Sequence, residues 1–306
     1  MSVDSTVTLP RYEYVGEHGT NPDVISAAEA FLRNPDIDTQ VRIRAIETPS
    51  ADWYHLFSAL GDAVIDLGHT LDIELEDRAR GPGFFHLYNE AEYDKVRQQF
   101  GLAAGSVAVH STSGHLLFME ASVGVMGTLS RANHELVHAA ARKSIRPVVS
   151  TDGEGKIHID VPRSRDGYAN WNTDTCNAIN EVMTEMTNID LMSNFWKAQP
   201  GLNELEIDPH QDLGYLPHLM LFDELFRDRF TDPLATFKNI QKGMFIGNMK
   251  ALQPLTRAVG VPIMRRLVAM DGKSAHEPFE LADELGYKDV KEKVMAHETS
   301  DLLDWL

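Results

Sequence analysis

The stretch His134-Glu135-Leu136-Val137-His138 and the later stretch Asn180-Glu181-Val182-Met183-Thr184-Glu185 place the tightest constraint on how this chain folds. Each reads as part of a helix, and the fold must bring the two helices face to face for the motifs to act together. Two histidines four apart lie on one helix face, one turn from each other. Both imidazoles can then hold one ion, with the glutamate between them in reach of a water on that ion. A catalytic zinc needs three protein ligands and an open position. Glu181 supplies the missing ligand type, and Glu185, again four residues on, faces the same way as a partner behind the ligands. A His-Glu-x-x-His string also arises by chance on amphipathic helices. The second motif makes a metal site the better reading.

In order and residue type, both motifs resemble those of the gluzincins, the thermolysin-like zinc peptidases of the peptidase MA-like superfamily. Their first motif is His-Glu-x-x-His and their second Asn-Glu-x-x-(Ser/Thr)-(Asp/Glu). The motif-level match covers residues 134–138 and 180–185, and a looser match of element order runs from about residue 84 to about residue 260. The resemblance implies an α+β fold: a small mixed sheet with an antiparallel edge strand over the His-Glu-x-x-His active-site helix, then a mainly helical C-terminal subdomain. It implies that His134, His138 and Glu181 bind one Zn2+, that Glu135 is the general base and that Glu185 orients His134. It also implies a peptide or protein substrate, hydrolysed most readily as by an endopeptidase. The motifs stand further apart than in the simplest members, an excess assigned to an inserted hairpin. A metzincin would continue to a glycine and a third histidine, where this chain has Ala141 and Ser144. With Cys176 as the only cysteine, a Cys-rich structural site is impossible.

Charge and composition exclude other classes. A formal net charge of −18 disfavours nucleic acid and membrane surfaces, which call for clustered Lys and Arg. No run of 18 apolar residues occurs, and Met1-Ser2-Val3-Asp4-Ser5 lacks the basic-then-apolar pattern of a secretory signal, so a cytoplasmic protein is expected, with leaderless export left open. At 306 residues, 43% of them hydrophobic, the chain can bury one large core or two smaller ones. It divides into an N-terminal α/β region of undisclosed role (1–80), the zinc-binding catalytic region (81–198) and a helical C-terminal subdomain (199–306).

Along the chain, residues 1–20 read as a peripheral lead-in, Asn21-Pro22-Asp23 as a helix start, Val41 to Ile46 as a half-buried strand, and Ser50 as the cap of a helix ending near Gly68. From Gly81, Phe84 to Tyr88 reads as a strand, Asn89 to Gly101 as a capped helix, and Ser106 to Val109 and His115 to Glu120 as strands before the His134 helix. Leu116 to Glu120 is the expected substrate-binding edge, since an exposed edge pairs with an extended peptide. Arg146 to Ser150 and Lys156 to Val161 flank a hairpin turn, Gly167 to Asn172 reads as a loop, and Thr173 to Trp196 as the second motif helix. Beyond Pro200 the pattern is helical: Leu216 to Phe230, Pro233 to Met244, Leu252 to Val259, Pro262 to Met270 and two short segments.

Peptide hydrolysis also needs a donor to the oxyanion. Tyr215 is the leading candidate, with His210 and His218 beside it and Tyr168 behind. Glu120 is the candidate for holding a substrate's α-amine in an exopeptidase, although Met119-Glu120 is followed by Ala121 and not by the fuller aminopeptidase motif. His86, His110, His115 and His158 read as surface or hydrogen-bonded residues, and Met183, Met186 and Met192 as core. A zinc-retaining scaffold without hydrolysis is the reading from another class, and the intact Glu135 argues against it.

Overall fold

The two motifs fold on neighbouring helices, and the strands beside them are short. The computed structural model describes residues 12–33, 51–75, 84–111, 114–121, 124–153, 157–160, 163–206, 213–272 and 274–306. The expected strand Val41 to Ile46, the cap Ser50 and the Glu154-Gly155 part of the hairpin turn lie outside these residues. The N-terminal elements are β1 (Tyr12–Tyr14), α1 (Pro22–Arg33) and α2 (Ala51–Thr70). Then come β2 (Phe85–Tyr88), α3 (Glu90–Phe100), β3 (Ala108–His110), β4 (Leu116–Met119) and α4 (Val125–Ala140), the helix that carries the first motif. Five short strands follow: β5 (Lys143–Ile145), β6 (Val148–Thr151), β7 (Ile157–Asp160), β8 (Arg163–Asp166) and β9 (Ala169–Asn170). The second motif lies on α5 (Asn177–Asn194), and the rest is helical: α6 (Leu216–Arg229), α7 (Pro233–Ile246), α8 (Gln253–Ala269), α9 (His276–Leu285) and α10 (Val290–Ala296).

Local chemistry accounts for several boundaries. Asn89 accepts the Glu92 N–H while Glu92 accepts the Asn89 N–H, a reciprocal cap on α3, and Gly101 ends the helix in the left-handed region at φ 62°. Asn21 Oδ1 takes the N–H of Asp23 at the start of α1. The second motif helix begins four residues later than Thr173, because Asp174 and Cys176 adopt positive φ and Asn170 bridges to Thr175. Gly260, at φ 80°, breaks α8 between the two segments read there separately.

The sheets correct three expectations. In the order β2-β4-β3, β4 is the central strand, parallel to β2 and antiparallel to β3. Leu116 to Glu120 is therefore not the edge. Leu116, Leu117 and Phe118 are all fully buried, as a strand covered on both faces requires, and the antiparallel edge is the half-buried β3. The residue 1–20 lead-in contains a true strand: β1 pairs in parallel with β5 in the order β1-β5-β8-β9, with Tyr12 and Tyr14 set against Ala28, Leu32 and Ile145. The Gly167 to Asn172 loop likewise holds β9. The hairpin stands as read, β6 against β7.

One apolar cluster runs from Phe57 on α2 to Leu303, so all three stretches of the chain contribute to it. The Phe57 ring stacks on Phe85 at 4.6 Å and meets Phe118 edge-on at 5.6 Å, seating α2 on the sheet. Leu136 and Val137 of α4 and Val182, Met183 and Met186 of α5 are buried there, and Ala139 to Ala141 are buried at the end of α4. The spacers between the motif residues thus clamp the two helices together. Truncating Leu136 to alanine would cost about 2–5 kcal/mol.

Candidate metal centre

His134 and His138 project from one face of α4, and Glu181 meets them from α5. Nε2 of His134 lies 3.2 Å from Nε2 of His138, and Oε2 of Glu181 lies 3.3 Å from the first and 3.1 Å from the second. A tetrahedral ion with bonds of about 2.0–2.1 Å sets its ligands about 3.3 Å apart, so the triangle is the size of a three-ligand face with one position left over. Two imidazole nitrogens and a carboxylate oxygen suit a small transition ion better than calcium or magnesium, which favour oxygen. Among the described residues this is the group of three that could hold a metal ion.

Hydrogen bonds orient these side chains. His134 Nδ1 donates to Glu185 Oε2 at 2.6 Å, the proton placement that leaves Nε2 free for an ion. The other oxygen of Glu185 accepts from Asn188, which also donates to Ser130 and accepts from Asn133 at 2.7 Å. His138 Nδ1 has the Thr184 hydroxyl at 3.4 Å and the Asn180 amide at 3.3 Å. Asn180 Oδ1 in turn accepts the Tyr168 N–H at 2.9 Å. That contact needs Gly167: at φ 54°, a Cβ there would sit 2.6 Å from the same oxygen.

The electrostatics fit a cation. Burial works against the charged form of Glu181, yet His138 and His134 outweigh it and hold the carboxyl well below its usual range. Burial likewise opposes the charged imidazole of His134, but Glu185 and Glu181 raise it well above the ordinary value. Glu135 is buried too, and His110, followed by His138 and His134, keeps it ionised below the usual carboxylate pKa.

The other expected residues divide. Tyr215, at φ 58° just before α6, stacks its ring on His134 with centroids 6.0 Å apart. Burial and then the charges of Glu181 and Glu135 push its phenol pKa up, so it stays a donor. His218 lies one layer further out, edge-on to Tyr215, with Nε2 on the Asp271 carbonyl at 3.2 Å and Nδ1 without a partner among the described residues. Tyr168 is buried and donates to the Ile240 carbonyl at 2.6 Å, so its hydroxyl is spent away from the triangle. His210 lies outside the described residues. Glu120 is exposed at the end of β4, where its backbone meets Tyr88 and Arg131.

A second set of residues escaped the sequence reading. His110, at the end of β3, is buried, and its ring stacks on His138 with centroids 5.2 Å apart. Its Nδ1 lies 2.8 Å from Glu135 Oε2 and its Nε2 2.7 Å from Asp166 Oδ2. Asp166 is held by Lys143 Nζ at 2.8 Å and by Arg163 at 3.1 Å, and Lys143 also donates to the His138 carbonyl. Lys143 is 0% exposed and Asp166 1%. Burial would neutralise Asp166, but Lys143, His110 and Arg163 keep its pKa well below normal. The available signal was the short stretch Arg163 to Asp166, β8, spelled entirely in polar residues.

No protein-family model, curated protein or solved structure matches this chain. No helix among the described residues is long and apolar enough to cross a membrane.

Proposed function

We propose that this chain is a zinc-dependent peptidase of gluzincin type. The observation that carries the reading is the triangle of His134, His138 and Glu181 donor atoms with 3.1–3.3 Å sides, flanked by the ionised Glu135 and braced by Glu185. When bound, zinc supplies a lowered pKa for the attacking water and polarisation of the scissile carbonyl. Glu135 then takes the proton of the water and passes it to the leaving amine, a role that its ionised carboxylate, fixed by His110, suits. Tyr215, kept protonated, donates to the developing oxyanion.

The substrate is an extended peptide docked along β3, the antiparallel one of the two edges of the β2-β4-β3 sheet and the one whose His110 reaches Glu135. The net charge of −18 favours neutral or basic peptides. The exposed position of Glu120 supports an endopeptidase over an enzyme that reads a free α-amine. Incubation of the zinc-loaded protein with a peptide library, with and without chelator, tests this reading. Cleavage should stop on chelation, should fall by about 10²–10⁴ in Glu135→Gln at full zinc occupancy, and should be lost with the zinc in Glu181→Ala. Full zinc occupancy in Glu181→Ala, or wild-type cleavage by Glu135→Gln, would refute it.

A further inference from the structure

His110 links two parts of the molecule that the motifs leave unconnected. In the β3–β4 ladder, Met119 N–H donates to the Val107 carbonyl and Ser111 N–H to the His115 carbonyl, so residues 107, 109 and 111 turn their backbone groups toward β4. Antiparallel alternation then turns the N–H and C=O of Ala108 and His110 outward, to the edge that no strand covers among the described residues, where the Ser106 hydroxyl meets the Ala108 carbonyl at 3.2 Å. The side chain of His110 runs inward to the Glu135 carboxylate.

The proton on that ring is placed by its neighbours. Arg163 Nη1 lies 2.5 Å from Nε2 and is itself only a donor. With Nε2 accepting from Arg163, the neutral ring carries its one hydrogen on Nδ1 and donates it to Glu135 Oε2. One carboxylate oxygen is thereby occupied, and the other is left for the water. A chain of contacts through Asp166 and Lys143 ends on the His138 carbonyl, one turn along α4 from Glu135, and closes the frame.

We propose that His110 is a positioning residue that fixes the Glu135 carboxylate for proton transfer and, through its own backbone, ties the base to the strand edge where substrate docks. The proposal rests on the peptidase reading for its catalytic consequence, and its geometry is testable without that reading. A side chain that only filled space would be replaced best by one of similar bulk. A positioning donor is replaced best by one that keeps an N–H where Nδ1 stands.

Asparagine places its amide nitrogen near the position of Nδ1, glutamine near that of Nε2, and leucine places no donor. The zinc-loaded wild type and His110→Asn, His110→Gln and His110→Leu are compared for zinc content, kcat and KM on a peptide that the wild type cleaves. All should hold one zinc, with KM within about threefold, since the outward backbone groups of His110 are intact. The Gln and Leu variants should lose about 10²-fold in kcat, the scale of a misplaced catalytic group, and Asn should recover at least tenfold of that. Wild-type kcat in the Gln and Leu variants, or an equal fall in all three, overturns the proposal.

Absence of cleavage by the wild type refutes the peptidase reading alone. The link itself is read by NMR of the histidine rings. His110 Nδ1–H should give a downfield, exchange-protected resonance that Glu135→Ala removes and Glu120→Ala leaves in place. A resonance untouched by Glu135→Ala overturns the proposal.

Discussion

His134 and Glu135 are neighbours in sequence, yet the two sides of the centre hold them with different chemistry. On the α5 side, Glu185, Asn188, Asn133 and Ser130 form a chain of hydrogen bonds around a single carboxylate within a helix pair. On the strand side, His110, Asp166, Lys143 and Arg163 form a buried charged cluster assembled from β3, β5 and β8. The first arrangement sets a tautomer at little electrostatic cost. The second takes charges out of water and depends on every partner, since a buried ion pair deprived of one member leaves the other uncompensated.

The largest expected effect falls on that charged side. Asp166→Ala should lower the unfolding free energy by about 3–5 kcal/mol in denaturant titrations, whereas replacing the pair together as Lys143→Met/Asp166→Leu should restore much of the loss. A cost below about 1 kcal/mol for the single variant would erase the contrast between the two sides. The same pair sets an acid limit. The native pKa of Asp166 is depressed, so its contribution is whole above the unfolded aspartate value of about 4 and drains away as pH falls toward the native value. Unfolding midpoints measured across that range should fall less steeply in Asp166→Asn than in the wild type.

On the α5 side the effects are smaller and appear in metal affinity. Glu185→Gln should weaken zinc binding by about 10- to 100-fold in chelator competition with little change in fold, and an unchanged affinity would mean that His134 needs no brace. Asn188→Ala should cost about 1–2 kcal/mol of stability, mostly through the groups it leaves unpaired. Smallest of all, Glu120→Ala should leave zinc content and endopeptidase rate as in the wild type and stability within about 0.5 kcal/mol. A marked loss of cleavage there would revive the exopeptidase.

How much could be read beforehand follows the same division. The ligand side is written in helical spacing: residues four apart share a face, so His134, His138, Glu181 and Glu185 declare their geometry in one dimension. The strand side is not written that way, because Ala108–His110, Lys143 and Arg163–Asp166 are distant in sequence and meet only when two sheets close around α4. His110 looked like any imidazole in a strand. The edge was misplaced by one strand for a related reason: a four-residue apolar run suits an edge or a centre by periodicity alone, and the full burial of Leu116 to Phe118 decides it. β1 went unseen because its two tyrosines gain an apolar partner only through Ile145 and α1.

Cys176 offers a way to watch the second motif open. It is the only thiol in the chain, it is 2% exposed at the N-terminal end of α5, and its backbone N–H is held by the Val268 carbonyl at 2.7 Å. A thiol reagent can reach it only when the start of that helix separates from α8, four residues before Asn180 and five before Glu181. Its labelling rate is therefore a clock for local opening at the carboxylate ligand. On the proposed ligation, zinc would pin Glu181 to two histidines on another helix and should slow that clock in proportion to how tightly it binds.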